Sequence, residues 1–173
     1  MRKQKGFSLI ELLIVVAIIL IIAAIAIPNL MRARIAANQS AGASTVRTLN
    51  TAEYTYATTY ASAGYAPNLT TLGPNGTDCT VPSNVTSASA CLIDGVLGTT
   101  PFKKGAFTYN ISSSTTNTPV PDYFITATSL GTAMAKVDYC ANTDAVVRSQ
   151  VENNTPGAVI ASPTVCNGLS AIQ

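Results

Sequence analysis

The most conspicuous chemical group in this sequence is a carboxylate in an apolar setting. Glu11 is the only charge among the 21 residues from Phe7 to Ile27. An apolar stretch of ~20 residues rising ~1.5 Å per residue spans a ~30 Å bilayer core as a helix. A carboxylate inside such a span costs ~2.5–3.5 kcal/mol on insertion scales, so Glu11 requires either a cation or a position near the interface. Four cysteines follow much later, Cys79, Cys91, Cys140 and Cys166. An even count fits two disulfides in an oxidising compartment. Three connectivities are open, and order along the chain favours Cys79–Cys91 with Cys140–Cys166. Short C-x2-C spacings and histidine are both lacking, which speaks against a zinc site. Asp122, Asp138 and Asp144 fall near predicted strand ends and could approach one another around Ca2+. Aspartates at turns ordinarily satisfy backbone amides instead, so neither a metal nor a cofactor is expected.

Catalysis has little to work with. The sequence contains no histidine or tryptophan, and it has no G-x-S-x-G, Walker A or G-x-G-x-x-G motif. Besides Glu11 the only glutamates are Glu53 and Glu152, each read here as part of a polar surface segment. The expectation is a protein that is not an enzyme. Tyr54, Tyr56, Tyr60 and Tyr65 could form a stacking or ligand platform, but tyrosines of this spacing are read as helix–sheet packing. Six Asn-x-Ser/Thr sequons (Asn38, Asn68, Asn75, Asn84, Asn110, Asn153) are what a Ser/Thr/Asn-rich chain produces by chance, and 112–116 reads as a plain loop.

The elements that position these groups begin with a basic leader, Met1-Arg2-Lys3-Gln4-Lys5-Gly6, which stops abruptly before Phe7. The ten basic side chains of the chain include Arg2, Lys3 and Lys5, leaving seven beyond the leader against eight acidic ones. That balance gives no nucleic-acid footprint. The basic leader predicts a cytoplasmic N-terminus by the positive-inside rule, a contrast weakened by Arg32 and Arg34 at the other end of the span. A simple anchor is one reading. A secretory signal cut after Ala24-Ile25-Ala26 is another, but the charge-free run Leu12–Ile27 is long for it and a carboxylate precedes it.

Gly6-Phe7-Ser8-Leu9-Ile10-Glu11-Leu12, the short basic leader and Pro28 at the end of the apolar run together resemble the class III signal of type IV pilins and of the type II secretion pseudopilins. Gly6–Leu12 resembles that signal position by position, and the membrane signal as a whole is similar to the family's over residues 1–34. Further on, Arg47-Thr48-Leu49-Asn50-Thr51-Ala52-Glu53 with Tyr65-x-Pro67-x-Leu69 resembles a subgroup of pilin-like proteins from environmental bacteria. The resemblance implies cleavage between Gly6 and Phe7 by a prepilin peptidase and N-methylation of Phe7. It also implies that Glu11 pairs with the new N-terminal amine of a neighbouring subunit. Physics agrees, because the span offers no cation of its own except that amine, and such a pair would set register between subunits. The Cys140–Cys166 pair would resemble the disulfide that closes the C-terminal segment of many pilins.

Four segments follow: a leader 1–6, a transmembrane and assembly helix 7–28, its amphipathic continuation 29–63, and a head 64–173. Pro28 must either stop or kink the helix. Continuation is expected, because residues 29–63 lack proline and Val46, Leu49, Ala52, Tyr56 and Tyr60 recur at helical steps. The helix should run from Phe7 to about Ala61, with Gly64 as its cap. Residues 64–86 read as loop and Ser87–Leu97 as a short helix. Strands are expected at 107–111, 123–128, 134–141 and 146–148, joined by short links into an antiparallel meander. Residues 152–173 read as an irregular tail tied back by Cys166. The fold class is α+β: a long N-terminal helix packed on a small antiparallel sheet, pilin-like.

The expected function is a structural subunit of a type IV pilus-like filament, polymerised through its N-terminal helix. The alternatives are a type II secretion pseudopilin and a membrane-anchored binding module that never polymerises. The implied partners are further copies or other pilins, the prepilin peptidase, an inner-membrane assembly platform, and lipid before assembly. The expected location is the bacterial inner membrane as a single-pass protein with its head outside, and then the filament.

Overall fold

The computed structural model describes residues 7–114, 117–151 and 160–172. The leader with Gly6, and Glu152 and Asn153, lie outside the described residues.

Helix α1 (Leu9–Thr59) is one unbroken element of 51 residues, ~77 Å long at ~1.5 Å per residue. Pro28 lies inside it. The missing amide removes one hydrogen bond there, yet the helix carries on, as the proline-free chain on its far side predicts. The two halves of α1 differ. Up to Ala41 nearly every residue is exposed; from Gly42 onward one face is covered, with Gly42, Ala43, Val46, Leu49, Asn50, Ala52, Glu53 and Tyr56 buried. Steps of three and four place these residues on one stripe. The helix ends at Thr59, two residues before the expected end, with Tyr60 as its cap. Gly64 comes later and does something else. It sits at φ +80° and makes a bridge to Val120, whose carbonyl oxygen would lie 2.3 Å from an added Cβ.

The sheet has six strands in sequence order, every neighbouring pair antiparallel: β1 (Lys103–Lys104), β2 (Phe107–Ser112), β3 (Phe124–Ser129), β4 (Val137–Asn142), β5 (Arg148–Val151) and β6 (Ser170–Ala171). Register is set by paired rows such as Tyr109, Ala127 and Tyr139 across β2, β3 and β4. One face of the sheet, carrying Phe107, Tyr109, Ile111, Ile125, Ala127, Tyr139 and Ala141, packs with Val46, Leu49 and Tyr56 of α1 in the main core. The other face buries Phe124 and Cys140 against Ile160 and Cys166. Strand β3 is consequently buried on both sides, which is why its run Phe-Ile-Thr-Ala-Thr shows little polar alternation.

Several expectations need correction. The meander has six strands instead of four, because β1 and β6 are two-residue edges with no periodicity to read. The third and fourth strands begin later than expected, at Val137 and Arg148. Segment 64–86 contains a turn of helix, α2 (Leu69–Leu72), capped by the Asn68 side chain, and a 3-10 turn at Pro82–Asn84. Ser87–Leu97 is not helical. Cys91 has φ +53°, and the amides of Ala90 and Leu92 donate to the carbonyls of Thr71 and Leu72, so the segment pairs with α2 instead of with itself. The C-terminal part is not an irregular tail either. It forms α3 (Pro163–Asn167), N-capped by Ser162, and then the edge strand β6. Glu53, read as a surface residue, is fully buried.

Candidate functional site

The first residues of α1 form a small polar device at the head of the apolar span. Ser8 is the N-cap, in extended conformation, and Glu11 stands at the third helical position. A Glu11 carboxylate oxygen accepts the Ser8 backbone N–H at 3.2 Å. The first turn of a helix leaves its amides unpaired and carries the positive end of the dipole, so a carboxylate here is locally favourable. Sequence reasoning assigned Glu11 no partner within its own chain. The capping signature Ser8-x-x-Glu11 ahead of an apolar run was the signal that could have found one. The capped geometry folds the carboxylate back toward the N-terminus against the Ser8 amide, and Phe7 and Ser8 both precede the first helical turn.

Beyond this device the helix is apolar on every side. Its most apolar 18-residue stretch has none of its residues buried within the subunit. Phe7, Leu9 and Ile10 are 80%, 77% and 67% exposed. A helix apolar all round needs lipid or other apolar helices around it. Ala17, Ala23, Ala24 and Ala26 supply small side chains that let helices approach closely. Pro28 closes the stretch and Arg32 and Arg34 follow it.

The head contributes rigidity. Its two disulfides join Cys79 to Cys91 and Cys140 to Cys166, with Cα separations of 5.8 and 6.0 Å. The first pins the 73–91 loop beside α2. The second ties α3 under β4. The tyrosines make a packed and hydrogen-bonded cluster between helix and sheet. Tyr54, Tyr65 and Tyr123 meet edge-on at centroid distances of 4.8–6.4 Å. Tyr54 donates to the Thr143 carbonyl at 2.6 Å and Tyr56 to the Ser87 carbonyl at 2.7 Å. Burial raises Tyr123 well above the ordinary phenol range.

Glu53 lies beside this cluster. One of its oxygens accepts the Ala66 N–H at 2.9 Å, while the other has no hydrogen-bond partner among the described residues. Desolvation pushes the carboxyl up to about 8, against the lowering effect of the Ala66 amide. Glu53 is therefore mostly neutral at pH 7. It acts as an internal strut that holds the chain at Ala66 against α1.

The three aspartates do not converge. Asp122 accepts the Ser114 amide, Asp138 accepts the Ser129 amide within the core, and Asp144 pairs with Arg148 at 2.6 Å. The Arg148 guanidinium, with help from the Val146 amide, holds Asp144 below the usual carboxylate range. Among the described residues no three His, Cys, Asp or Glu side chains are grouped to hold a metal ion. A cavity of ≈ 300 Å³ opens beside Asp122, lined also by Ser113, Tyr123, Asn142 and Asn167.

Comparison with known proteins bears on the N-terminal device directly. A family model described as the prokaryotic N-terminal methylation motif matches residues 1–27. The type IV wide pilus major component PilA4 of Thermus thermophilus is 42% identical over 106 residues, covering 58% of this chain and 79% of that protein. The type IV major pilin protein PilA of Myxococcus xanthus is 46% identical over 54 residues, which are 31% of this chain and 24% of that protein. No solved structure matches the chain.

Proposed function

Because this chain belongs to the type IV pilin family, we propose that it is held in a membrane by its apolar helix, processed at Gly6–Phe7, and polymerised as a structural subunit of a type IV pilus. A prepilin peptidase removes residues 1–6 and exposes the Phe7 amine, which is then N-methylated. Apolar half-helices of many subunits bundle in the filament centre, where they leave lipid without meeting water. The heads form the outer coat. Contacts of this head-to-tail kind that do not close build a helical polymer.

Glu11 sets the register. A carboxylate has acceptor capacity for more than one donor, so engagement with Ser8 leaves room for a second. The Phe7 amine of a neighbour displaced by about one helical turn supplies it. Inside an apolar bundle that pair is favoured over any arrangement that leaves the charge unpaired.

The observation that carries this reading is the exposed apolar half of α1 on a head whose core is otherwise closed. It asks for a partner of its own kind. Both curated relatives are named as major pilus components, which supports the pilus over a secretion pseudopilus. The test combines two measurements on purified surface filaments. Mass spectrometry should find an abundant N-terminal peptide that begins at methylated Phe7. The Glu11→Val variant should insert in the membrane as well as wild type or better, yet give far fewer filaments. Normal filament yield from Glu11→Val would remove the register role. A chain still carrying residues 1–6 in filaments would remove the processing step.

A further inference from the structure

Exposed cations are concentrated at one end of the head, with Arg47 a further one midway along it on α1. Asp122 and Asp144 lie at the far end, where Asn50 and Tyr54 reach the carbonyls of Ala145 and Thr143. Arg32, Arg34, Lys103, Lys104 and Lys136 are all exposed and gather where the helix leaves the head. Two contacts fix this placement. The Asn38 side chain donates to the Met134 carbonyl at 2.8 Å, so the β3–β4 loop is fastened to the helix at that level. Gly105 and Ala106 line one recess together with Arg34, Asn38 and Met134. Among the described residues, Asp94 is the exposed head carboxylate that forms an ion pair with this group, through Lys104.

Distance along the helix says what these cations face. The apolar, exposed surface of α1 runs on through Leu30 and Met31. Asn38 is seven residues beyond Met31, ~10 Å of helix. A headgroup layer is ~5–8 Å deep on each side of the hydrocarbon core. The β1–β2 turn and the β3–β4 loop share a recess with both Arg34 and Asn38, so they lie ~4–10 Å beyond Met31 and border the outer side of the headgroup layer whenever the apolar half of α1 spans a bilayer. Leu130 and Met134, 41% and 43% exposed, are on the same loop as Lys136. Exposed apolar side chains among lysines are the composition of an interfacial surface.

We infer that the helix-exit end of the head, with Arg32, Arg34, Lys103, Lys104 and Lys136, is a docking surface for anionic phospholipid headgroups in the unassembled subunit. It rests on the membrane-anchored reading above and adds the lipid chemistry and the residues. Cations close to an anionic leaflet are drawn to it, and salt screens the attraction. The surface fixes the head's tilt on the bilayer until polymerisation lifts the subunit out.

The test uses the full chain in nanodiscs of phosphatidylcholine alone and of phosphatidylcholine with phosphatidylglycerol. Amide hydrogen exchange over 103–106 and 131–136 is compared at low and high salt. The anionic lipid should slow exchange there several-fold, and high salt should abolish the difference. Lys103→Gln with Lys136→Gln should cancel the slowing, while Lys103→Arg with Lys136→Arg should keep it. Equal exchange in the two bilayers overturns the inference. So does slowing that follows the number of subunits per disc and ignores lipid charge, because that assigns the face to a second copy. If the chain enters neither bilayer, the anchored reading itself fails, an outcome distinct from unselective lipid contact.

Discussion

Among single residues, Glu53 is the strongest case of context overriding type. It is a charged residue type beside Thr51, Tyr54 and Thr55, yet its carboxyl is sealed under the 64–66 crossing. The proton balance gives the sign of its effect. The folded carboxyl titrates at about 8 and the unfolded one near 4.5, so between those values the native state holds a proton that the unfolded chain releases. Stability therefore falls as pH rises from 4.5 to about 8 and levels off above. Every tenfold difference in proton affinity between the two states is worth ~1.4 kcal/mol at most. Glu53→Gln keeps an oxygen for the Ala66 amide and cannot ionise. Its unfolding free energy should match wild type near pH 5 and exceed it by a few kcal/mol at pH 9, as denaturant titrations at the two pH values would read. Parallel pH profiles for the two proteins would show that Glu53 is not the titrating group. Its place four residues after Leu49 and three before Tyr56 puts Glu53 on the buried stripe of α1, a local signal outweighed by residue type, while the covering residues Gly64-Tyr65-Ala66 reach it only after the chain has turned back on Val120.

At the scale of elements, legibility followed periodicity. The apolar run Phe7–Ile27 and the Val46–Leu49–Ala52–Tyr56 stripe repeat over many turns, and both ended up where their patterns pointed. Ser87–Leu97 carried a helical composition but no helical partner surface, and its backbone pairs with α2 and the Cys79–Cys91 link instead. Two-residue edge strands such as β1 and β6 hold too few side chains to show alternation. Gly42 illustrates how packing between elements overrides propensity. In a helix interior, glycine to alanine gains ~1 kcal/mol. A Cβ at Gly42, however, would lie 2.5–2.9 Å from the buried ring of Phe107. That ring is held between Tyr109 and Tyr139, and overpacking of this kind costs ~1–3 kcal/mol. Gly42→Ala should lower the melting temperature by a few degrees, where propensity alone predicts a rise. A thermal melt of the two proteins decides between the signs.

Over the whole molecule, one chain serves two solvents, and the division falls within a single helix. Every buried residue of the core lies at or beyond Gly42, and the apolar half of α1 contributes none. The head core is closed by its own residues: the stripe from Ala43 to Tyr56 on one side of the sheet, and Ile160 and Cys166 on the other. Stability of the head and assembly of the filament are thus carried by different segments. A protein shortened to begin at Asn29 should then fold. It retains the helical stripe, all four cysteines and the complete sheet, and it loses only surface that nothing in the subunit covers. The expected product is soluble and monomeric in sedimentation, with both disulfides formed. Its melting temperature should lie within a few degrees of the full chain in detergent, since no buried contact has been removed. It should also fail to enter filaments, having lost Phe7 and Glu11. A shortened head that melts far below the full chain would mean that the apolar half supports the fold as well as the assembly, and the division at Gly42 would have to be abandoned.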